Sequence, residues 1–381
     1  MVKKILFVAT VVKMHIMEFH IPYLKMFKEM GWETSVAAHN DYTDPNECVI
    51  PYCDYYYDIP FARNPAKIEN LVAYQNLKKV IDEGEFEIIH CHTPVGAMIT
   101  RLASRKARKE IGSKVIYTAH GFHFYTGAPL LNWIIYYPVE KWLSKYTDVL
   151  ITINTEDYER AKRFHAKRVC YIPGVGIDVR KYAVTDEVRE AERVKMCCEF
   201  GVPNDALVLL SVGEVNKNKN HGIVIEALHR IPQTNIYYIV CGSGPLISKH
   251  KQRAKQLNLD NRVVFAGYRT DAENFYKAAD IFVFPSYREG LPVAVMEALA
   301  SGLPIIATNI RGSRDLITGD SSGVLLSPDD VSGFAEAIEY FANSINREKV
   351  RAVNIEKAKS FDLQTITKKY YNAYFDKMSE M

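Results

Sequence analysis

Several common phosphate-binding motifs are missing from this sequence of 381 residues. It contains no GxGxxG, so the fingerprint of dinucleotide-binding proteins is absent, and no GxxxxGK[ST], which excludes a P-loop. It also lacks Asp-x-Asp, a carboxylate pair that often holds a divalent ion on a diphosphate. Any phosphate group that this chain binds must therefore be met by backbone N–H groups and basic side chains.

Disulfides, a membrane span and a strong net charge are missing as well. The seven cysteines are an odd number without CxxC spacing, which is typical of a reduced cytoplasmic protein. No apolar run approaches the ~20 residues of a spanning helix. The first apolar run ends at Lys13 without a small-residue cleavage site and predicts a buried strand. The formal net charge of +3 gives no reason to expect a nucleic-acid partner.

Short apolar runs alternate with helical segments in both halves of the chain. Residues 3–10, 86–92 and 114–121 predict strands in the first half, and the alternation breaks near 173–200 and restarts at 206–214. The turn-rich and charged residues near 175–200 predict a linker between two similar domains. The chain has the length of two domains. We predict an α/β fold with Rossmann-like domains at 1–175 and 176–360, facing each other across a ligand cleft.

Three predicted strand-end loops of the second half carry residues suited to an anion. They are "SVGEVNKNKNH" (211–221), "CGSGP" (241–245) and "REGLPVAVMEALASG" (288–302). In the third, Pro292 suits a first helical position, so the amides of that turn are free to face an anion. The alternatives are solvated lysines in the first loop, an ordinary glycine turn in the second, and two glutamates that only cap or coat a helix.

The segment "EGLPVAVMEALASGLPIIAT" (289–308) has an E-x7-E pattern that resembles the retaining glycosyltransferases of family 4. The resemblance extends to "VGEVNKNKN", "VVFAGYRTD" and "AADIFVFPS", and to "TAHG" in the first half. It implies the GT-B architecture of two Rossmann-like domains. It also implies that the C-terminal segment, 361–381, forms a helix that crosses back to the N-terminal domain.

The same resemblance implies roles for individual residues. Gly213 matches the glycine that opens the phosphate loop, and Lys219 matches the lysine on the donor diphosphate. Glu289 matches the glutamate near the transferred sugar, Glu297 the one that binds the nucleotide ribose, and His120 the histidine facing the donor sugar. The resemblance thus predicts a catalytic set of Glu289, His120 and Lys219.

The sequence departs from the family pattern in the phosphate loop. Many members have Arg directly after the glycine, but Glu214 stands here, and a carboxylate cannot replace a guanidinium on a diphosphate. Lys217, Arg288 or Arg269 must then supply the second positive charge. The predicted donor-binding residues are Gly213, Lys217, Lys219, Gly242, Gly244, Arg269, Gly290, Leu291, Pro292, Val293 and Glu297.

A second departure lies in the first loop, "TVVKMHIMEFH" (10–20), which lacks the glycine pair of many relatives. It carries His15 and His20 instead, and we predict these two residues and His92 on the acceptor side. His90 and His92 point to the same face of a strand, but the sequence shows no third ligand at metal-like spacing. We therefore predict His90 packed in the core, no metal site and no cofactor.

The resemblance implies a sugar transfer from a nucleotide-sugar, which we predict to be a UDP-sugar, with retention of configuration. We expect a saccharide acceptor on a lipid carrier, in bacterial surface polysaccharide synthesis. The basic runs 101–110 and 160–168 and the aromatic stretch 121–143 suggest weak binding to the anionic inner face of the plasma membrane. A solvated basic surface and a buried or dimer-forming aromatic stretch are the alternatives.

Two other functions fit the same architecture. One is a UDP-sugar 2-epimerase, which needs no acceptor, although the E-x7-E segment argues against it. The other is a non-catalytic subunit that binds a sugar nucleotide or glycan, with Glu214 marking a lost site; Lys219, Glu289 and Glu297 argue against that. Incubation with UDP-sugars alone distinguishes the three, because it yields slow hydrolysis, an epimer or no product.

Overall fold

The computed structural model describes residues 2–318 and 322–376 and divides the chain into two compact units. The first unit holds the described residues of Met1–Val175 and Ile366–Met381, and the second holds those of Gly176–Thr365. The division after residue 175 falls where the apolar rhythm of the sequence breaks. Residues 377–381 of the predicted C-terminal segment lie outside the described residues.

In the described part of the first unit, the strands form one parallel sheet in the order β3-β2-β1-β4-β5-β6-β7. The strands are β1 (Lys4–Val11), β2 (Glu33–His39), β3 (Tyr55–Asp58), β4 (Ile88–His92), β5 (Lys114–Ala119), β6 (Val149–Thr152) and β7 (Arg168–Tyr171). Strands β1 and β4 are almost wholly buried, as expected of interior strands in a parallel sheet. The edge strands β3 and β7 are only half-buried and lack a continuous apolar run, so the sequence pattern missed them.

In the first unit, the helix boundaries divide the two basic runs of the sequence. The helices are α1 (Ile21–Glu29), α2 (Glu69–Gly84), α3 (Pro94–Ala103), α4 (Arg105–Glu110), α5 (Leu130–Leu143) and α6 (Thr155–Ala161), with a π-helix at Val12–Met17. The basic run 101–110 is split between α3 and α4, and α6 ends within the second run. Arg101 is buried and pairs with Glu140, so it is not part of a solvated basic face.

The second unit repeats the doubly wound pattern. Its described strands form a parallel sheet in the order β10-β9-β8-β11-β12-β13. They are β8 (Leu207–Val212), β9 (Ile236–Cys241), β10 (Val263–Gly267), β11 (Ile281–Phe284), β12 (Ile305–Thr308) and β13 (Gly323–Leu326). The helices of the described part of this unit are α7 (Val179–Tyr182), α8 (Asp186–Phe200), α9 (Gly222–Arg230), α10 (Ile247–Gln256), α11 (Ala272–Ala278), α12 (Val293–Ala300), α13 (Arg311–Leu316), α14 (Val331–Ala342) and α15 (Ser344–Ala358). The last helix, α16 (Leu363–Tyr374), begins in this unit and belongs to the first unit from Ile366 onward.

Helix α8 shows that residues 176–200 are not a linker but part of the second unit. Buried Arg193 donates hydrogen bonds to the Ala278 carbonyl and to the Asp280 carboxylate, both at 2.8 Å. A buried guanidinium needs such partners, because an unpaired one would be strongly destabilising. The turn-rich and charged composition that suggested a linker therefore belongs to an anchored surface helix.

Strand order fixes where a ligand can bind in each unit. The order reverses between β1 and β4 in the first unit and between β8 and β11 in the second. In open parallel sheets the binding crevice lies beyond the carboxyl ends of the strands at such a reversal. The loops that follow these four strands are therefore the candidate binding segments.

The last helix packs in the first unit from Ile366 onward, as the sequence predicted. Ile366, Tyr370 and Ala373 of α16 are buried, and the Tyr374 hydroxyl lies 2.7 Å from Nδ1 of buried His90. Nε2 of His90 lies 2.8 Å from the Thr118 hydroxyl, so both ring nitrogens have partners. In the described part of the chain, none of the helices combines the length and apolar character needed to cross a membrane.

The contact between Tyr374 and His90 predicts the cost of removing one hydroxyl. Tyr374→Phe should lower the free energy of unfolding by about 1–3 kcal/mol, because it leaves Nδ1 of a buried histidine without its partner. Urea unfolding measures the change. The exposed Tyr55→Phe is the control and should change stability by less than about 0.5 kcal/mol. Equal effects of the two substitutions would show that this contact does not anchor the last helix.

Candidate active site

An ion pair joins the loops that follow β8 and β11. Nζ of Lys219 lies 2.8 Å from Oε1 of Glu289, and each side chain is 20% exposed. Nζ also lies 4.7 Å from the centre of the Phe284 ring, at the end of β11. The two sequence-predicted residues are thus in contact at the strand-order reversal of the second unit, with a charged group open to a ligand.

Backbone contacts hold this pair in place. The Tyr287 amide donates to the Asn218 carbonyl at 2.8 Å, and the Asn218 side-chain amide donates to the Arg288 carbonyl at 3.0 Å. Nε of Arg311 donates to the Glu289 carbonyl at 3.0 Å. Glu289 is therefore fixed from both sides, which limits how far its carboxylate can move when a ligand binds.

Glycines allow the backbones of the loops that follow β8 and β9 to come into contact. A Cβ on Gly242 would lie 1.9 Å from the Gly213 carbonyl oxygen, and one on Gly244 would lie 2.4 Å from that of Val215. Gly213 itself has φ +145, and a Cβ there would meet the Lys219 side chain at 3.2 Å. Gly213, Gly242 and Gly244 are thus needed for close backbone approach around Lys219.

Glu297 lies in α12 with a tyrosine hydroxyl on each of its oxygens. Tyr182 donates to Oε1 at 2.6 Å and Tyr276 donates to Oε2 at 2.8 Å. Burial raises the pKa of Glu297, while the two hydroxyls oppose that change by stabilising the carboxylate. Each carboxylate oxygen can accept a further hydrogen bond, so Glu297 is held in one orientation and can still bind a ligand hydroxyl.

Helix α12 starts one residue later than predicted. Pro292 is the N-cap rather than the first helical residue, and the helix begins at Val293. The predicted turn residues Gly290 and Leu291 lead into it, and a Cβ on Gly312 would lie 2.5 Å from the Gly290 carbonyl oxygen.

Sequence reasoning missed four residues of this site, which are Tyr182, Tyr276, Arg311 and Gly312. The tyrosines lie far from Glu297 along the chain, so no local pattern could identify them. "RGS" at 311–313, directly after β12, was the available signal for the other two.

The structure distinguishes among Lys217, Arg288 and Arg269, the three candidates for the second positive charge near the diphosphate. Arg269 is committed to Asp271 at 2.8 Å and to Glu199 at 2.7 Å. Lys217 and Arg288 are exposed on the loops that carry Lys219 and Glu289. The latter two are therefore better placed to meet a phosphate without breaking an existing ion pair.

The first unit brings four histidines together beyond β1, β4 and β5. Ligand nitrogens of His15, His20, His92 and His120 all lie within 4.8 Å of one another. The sequence prediction placed the first three on the acceptor side and found no third metal ligand, because the π-helix that positions His15 leaves no periodic signal. Burial lowers the pKa of His120 to about 4 and those of His15, His20 and His92 well below the usual value.

Comparison with known proteins identifies the family. Residues 199–360 match the family model "Glycosyl transferases group 1", and residues 4–154 match "Glycosyl transferase 4-like". EpsD of Bacillus subtilis (strain 168), itself only provisionally assigned as a glycosyltransferase, is 43% identical over 89% of this chain and 87% of its own. The chain belongs to the group 1 glycosyltransferases.

Two further proteins are similar to this group 1 glycosyltransferase over most of its length. The UDP-Gal:alpha-D-GlcNAc-diphosphoundecaprenol alpha-1,3-galactosyltransferase of Escherichia coli is 28% identical over 72% of this chain and 71% of its own. HepE of Anabaena, solved in complex with UDP, superposes with a TM-score of 0.80 at 18% identity, covering 99% of this chain and 100% of its own. The second likeness confirms the predicted GT-B fold.

His221 gives this glycosyltransferase a predictable pH dependence. It is buried directly before α9, with Nδ1 3.0 Å from the Tyr238 hydroxyl, and burial lowers its pKa to about 3. The unfolded chain therefore binds the proton more tightly, and stability falls as pH drops below about 6.5. Between pH 7 and pH 5, His221→Gln should lose about 2 kcal/mol less stability than the wild type.

Urea unfolding at the two pH values measures this difference. The matched control is His229→Gln, since His229 is exposed on the same helix. A pH dependence unchanged by either substitution would show that His221 is protonated as readily in the folded as in the unfolded chain.

Proposed function

We propose that this glycosyltransferase moves a sugar from a nucleotide-sugar, of the UDP-sugar type, to a saccharide on a lipid carrier, with retention of configuration, in bacterial surface polysaccharide synthesis. The main support for a nucleotide-sugar donor is the contact between Lys219 and Glu289 at the carboxyl ends of β8 and β11. HepE has also been solved in complex with UDP-glucose, and the name of the Escherichia coli relative specifies a UDP-galactose donor and a diphosphoundecaprenol-linked acceptor.

Lys219 is the residue that we assign to the leaving diphosphate. Its ammonium group has three donors, so it can keep Glu289 and still bind phosphate oxygens. Lys219 already neutralises the Glu289 carboxylate. We therefore propose that this lysine, the exposed Lys217 and backbone amides meet the phosphate charge without a divalent ion.

The first turn of α12 supplies these backbone amides. Its position along the segment also determines the order in which the residues would contact the donor. Glu289 lies before the helix, the free amides lie at Val293 and its neighbours, and Glu297 lies about 6 Å further along the axis from Val293. These positions suit the sugar, the diphosphate and the ribose of one donor molecule.

The proposed chemistry is a front-face displacement. The bond between the sugar and the diphosphate loosens first, which leaves an oxocarbenium-like sugar and builds negative charge on the departing phosphate. The departing oxygen takes the proton of the acceptor hydroxyl, which then bonds to the same face of the sugar. Lys219 stabilises the charge that builds up, and removing one such preorganised contact typically costs about 2.7–4 kcal/mol of barrier.

A cavity of about 420 Å³ in the first unit supports the lipid-linked acceptor. It is lined by apolar side chains from three segments, among them Met14, Val95, Met98, Val139 and Leu143. His15 also lines it, which agrees with an acceptor-side position. An apolar cavity beside polar histidines suits a ligand that joins a lipid to a saccharide.

Helix α5 supports contact with a membrane surface. Leu130, Leu131 and Ile134 are more than 60% exposed, and Ile135, Val139 and Trp142 are also exposed. Beyond the end of the helix, a hollow of about 650 Å³ is lined mostly by basic side chains, including Arg105, Lys109 and Lys145. Lys167 and Arg168 also line it and are paired with Asp148 and Asp376. An exposed apolar helix next to basic groups suits an anionic lipid surface.

Substitution of the two glutamates tests the donor site. Glu289→Gln should lower kcat by roughly 10²–10³, because positioning of the sugar counts most in the transition state. Glu297→Gln should raise the donor KM about tenfold with a small change in kcat, because it weakens binding in ground and transition state alike. Glutamine is preferred to alanine, which would leave the Tyr182 and Tyr276 hydroxyls without an acceptor.

Steady-state kinetics with a panel of UDP-sugars measures both effects, and the exposed Glu336→Gln is the control. If all three variants stay within about twofold of the wild type, a difference of only ~0.4 kcal/mol, the glutamates are ordinary helix residues.

Membrane binding is tested with vesicles. The protein should sediment with anionic vesicles and not with neutral ones, and binding should weaken as salt rises. Ile134→Asp should reduce binding, because it places a charge in the apolar face of α5. Ile345→Asp, at an equally exposed position of α15, should not. Equal sedimentation with both vesicle types, or with neither, contradicts the proposed surface.

A further inference from the structure

The cluster of His15, His20, His92 and His120 lies at the strand-order reversal of the first unit. His15 comes from the π-helix after β1, His92 ends β4 and His120 follows β5. His20 stands immediately before α1, and its ring centre is 3.8 Å from that of His92. Four imidazoles from separate segments thus converge where an α/β sheet normally binds a ligand.

Several ring nitrogens of this cluster lack hydrogen-bond partners, whereas Nδ1 of His92 and Nε2 of His120 lie 3.4 Å apart, within hydrogen-bond distance of each other. Among residues 2–318 and 322–376, none pairs with Nε2 of His15, Nε2 of His92 or either ring nitrogen of His20. His20 and His92 are each 1% exposed. A buried polar atom without a partner is unfavourable, and four in one cluster indicate a missing ligand.

Size and chemistry limit what that ligand can be. The burial of His20 and His92 leaves no room for a saccharide to reach their nitrogens. Two ligands of a tetrahedral zinc ion at 2.0–2.1 Å lie about 3.3 Å apart. The ligand nitrogens of the four rings all lie within 4.8 Å of one another, so small side-chain shifts would let one ion reach them.

We propose that the His15, His20, His92 and His120 cluster binds a transition-metal ion, with Zn²⁺ as the best-fitting species. Imidazole suits Zn²⁺, Co²⁺, Ni²⁺ and Cu²⁺, whereas Mg²⁺ and Ca²⁺ prefer oxygen ligands, of which the cluster has none. This site lies in the first unit, and the proposal does not rest on the donor chemistry of Lys219 and Glu289.

Two features agree with a metal-binding role. Metal-bound histidine must be neutral, and burial keeps all four rings in that form at neutral pH. The π-helix at Val12–Met17 is a rare element that often occurs at functional sites. It brings His15 to the side of His20, with ring centres 4.9 Å apart.

Metal content and metal-dependent stability test the proposal on the full chain without a histidine tag. After treatment with a chelator and dialysis, the wild type should take up one Zn²⁺ per chain by elemental analysis. Zn²⁺ at a hundred times its dissociation constant should raise the melting temperature by about 3–7 °C. Co²⁺ should give the visible absorption of a tetrahedral nitrogen site, and Mg²⁺ should have no effect.

Variants separate binding from folding. His20→Phe fills the same apolar surroundings, so it should fold without metal and lose the zinc uptake, the thermal shift and the Co²⁺ absorption. His165→Ala is the control, since His165 is exposed in the same unit, and it should keep all three. Zinc uptake that survives in His20→Phe, or a wild type that takes up no Zn²⁺ or Co²⁺, overturns the proposal. Neither result changes the expected kinetics of the Glu289 and Glu297 variants.

Discussion

The 2.8 Å contact between Lys219 and Glu289 is the interaction on which the proposed function depends. The contact requires that the loops after β8 and β11 start side by side. They do so because β8 and β11 are neighbouring parallel strands at the reversal of strand order. The contact also requires that a bulky lysine lies over a neighbouring backbone, which Gly213 permits. A pair of opposite charges keeps the lysine ordered before a ligand arrives, so little side-chain freedom is lost on binding.

Glu297, like Lys219, is held in position by contacts with other side chains. An ionised carboxylate in a buried position is unfavourable unless hydrogen bonds stabilise it. Tyr182 and Tyr276 supply those bonds from α7, which precedes β8, and from α11, which precedes β11. The carboxylate is thus held in place by side chains from two other helices, and the proposed donor site is an assembly of distant segments rather than a single motif.

The sequence predicted the parts of the molecule that local physics determines. Buried strands such as β8 and β11 are apolar runs, and the α16 pattern of Ile366, Tyr370 and Ala373 follows helical spacing. The edge strands β3 and β7 carry no such run and were missed. The candidate site was found where a family pattern covers neighbouring residues, as at Glu289 and Glu297. Contacts made across the fold, such as Tyr182 with Glu297 or the convergence of four histidines, leave no signal in a local window.

The close contact between the glycine loops also has an evolutionary consequence. A Cβ on Gly242 or Gly312 would strike a main-chain carbonyl oxygen, which the opposite loop carries whatever its side chains are. Neither position can therefore accept a side chain unless the backbone of the opposite loop moves. Exposed positions of neighbouring loops, such as Lys217 and Arg288, carry no such constraint. Sequence variation in this part of the molecule is therefore expected at a few outward-facing side chains, while the glycines that bring the backbones together are retained.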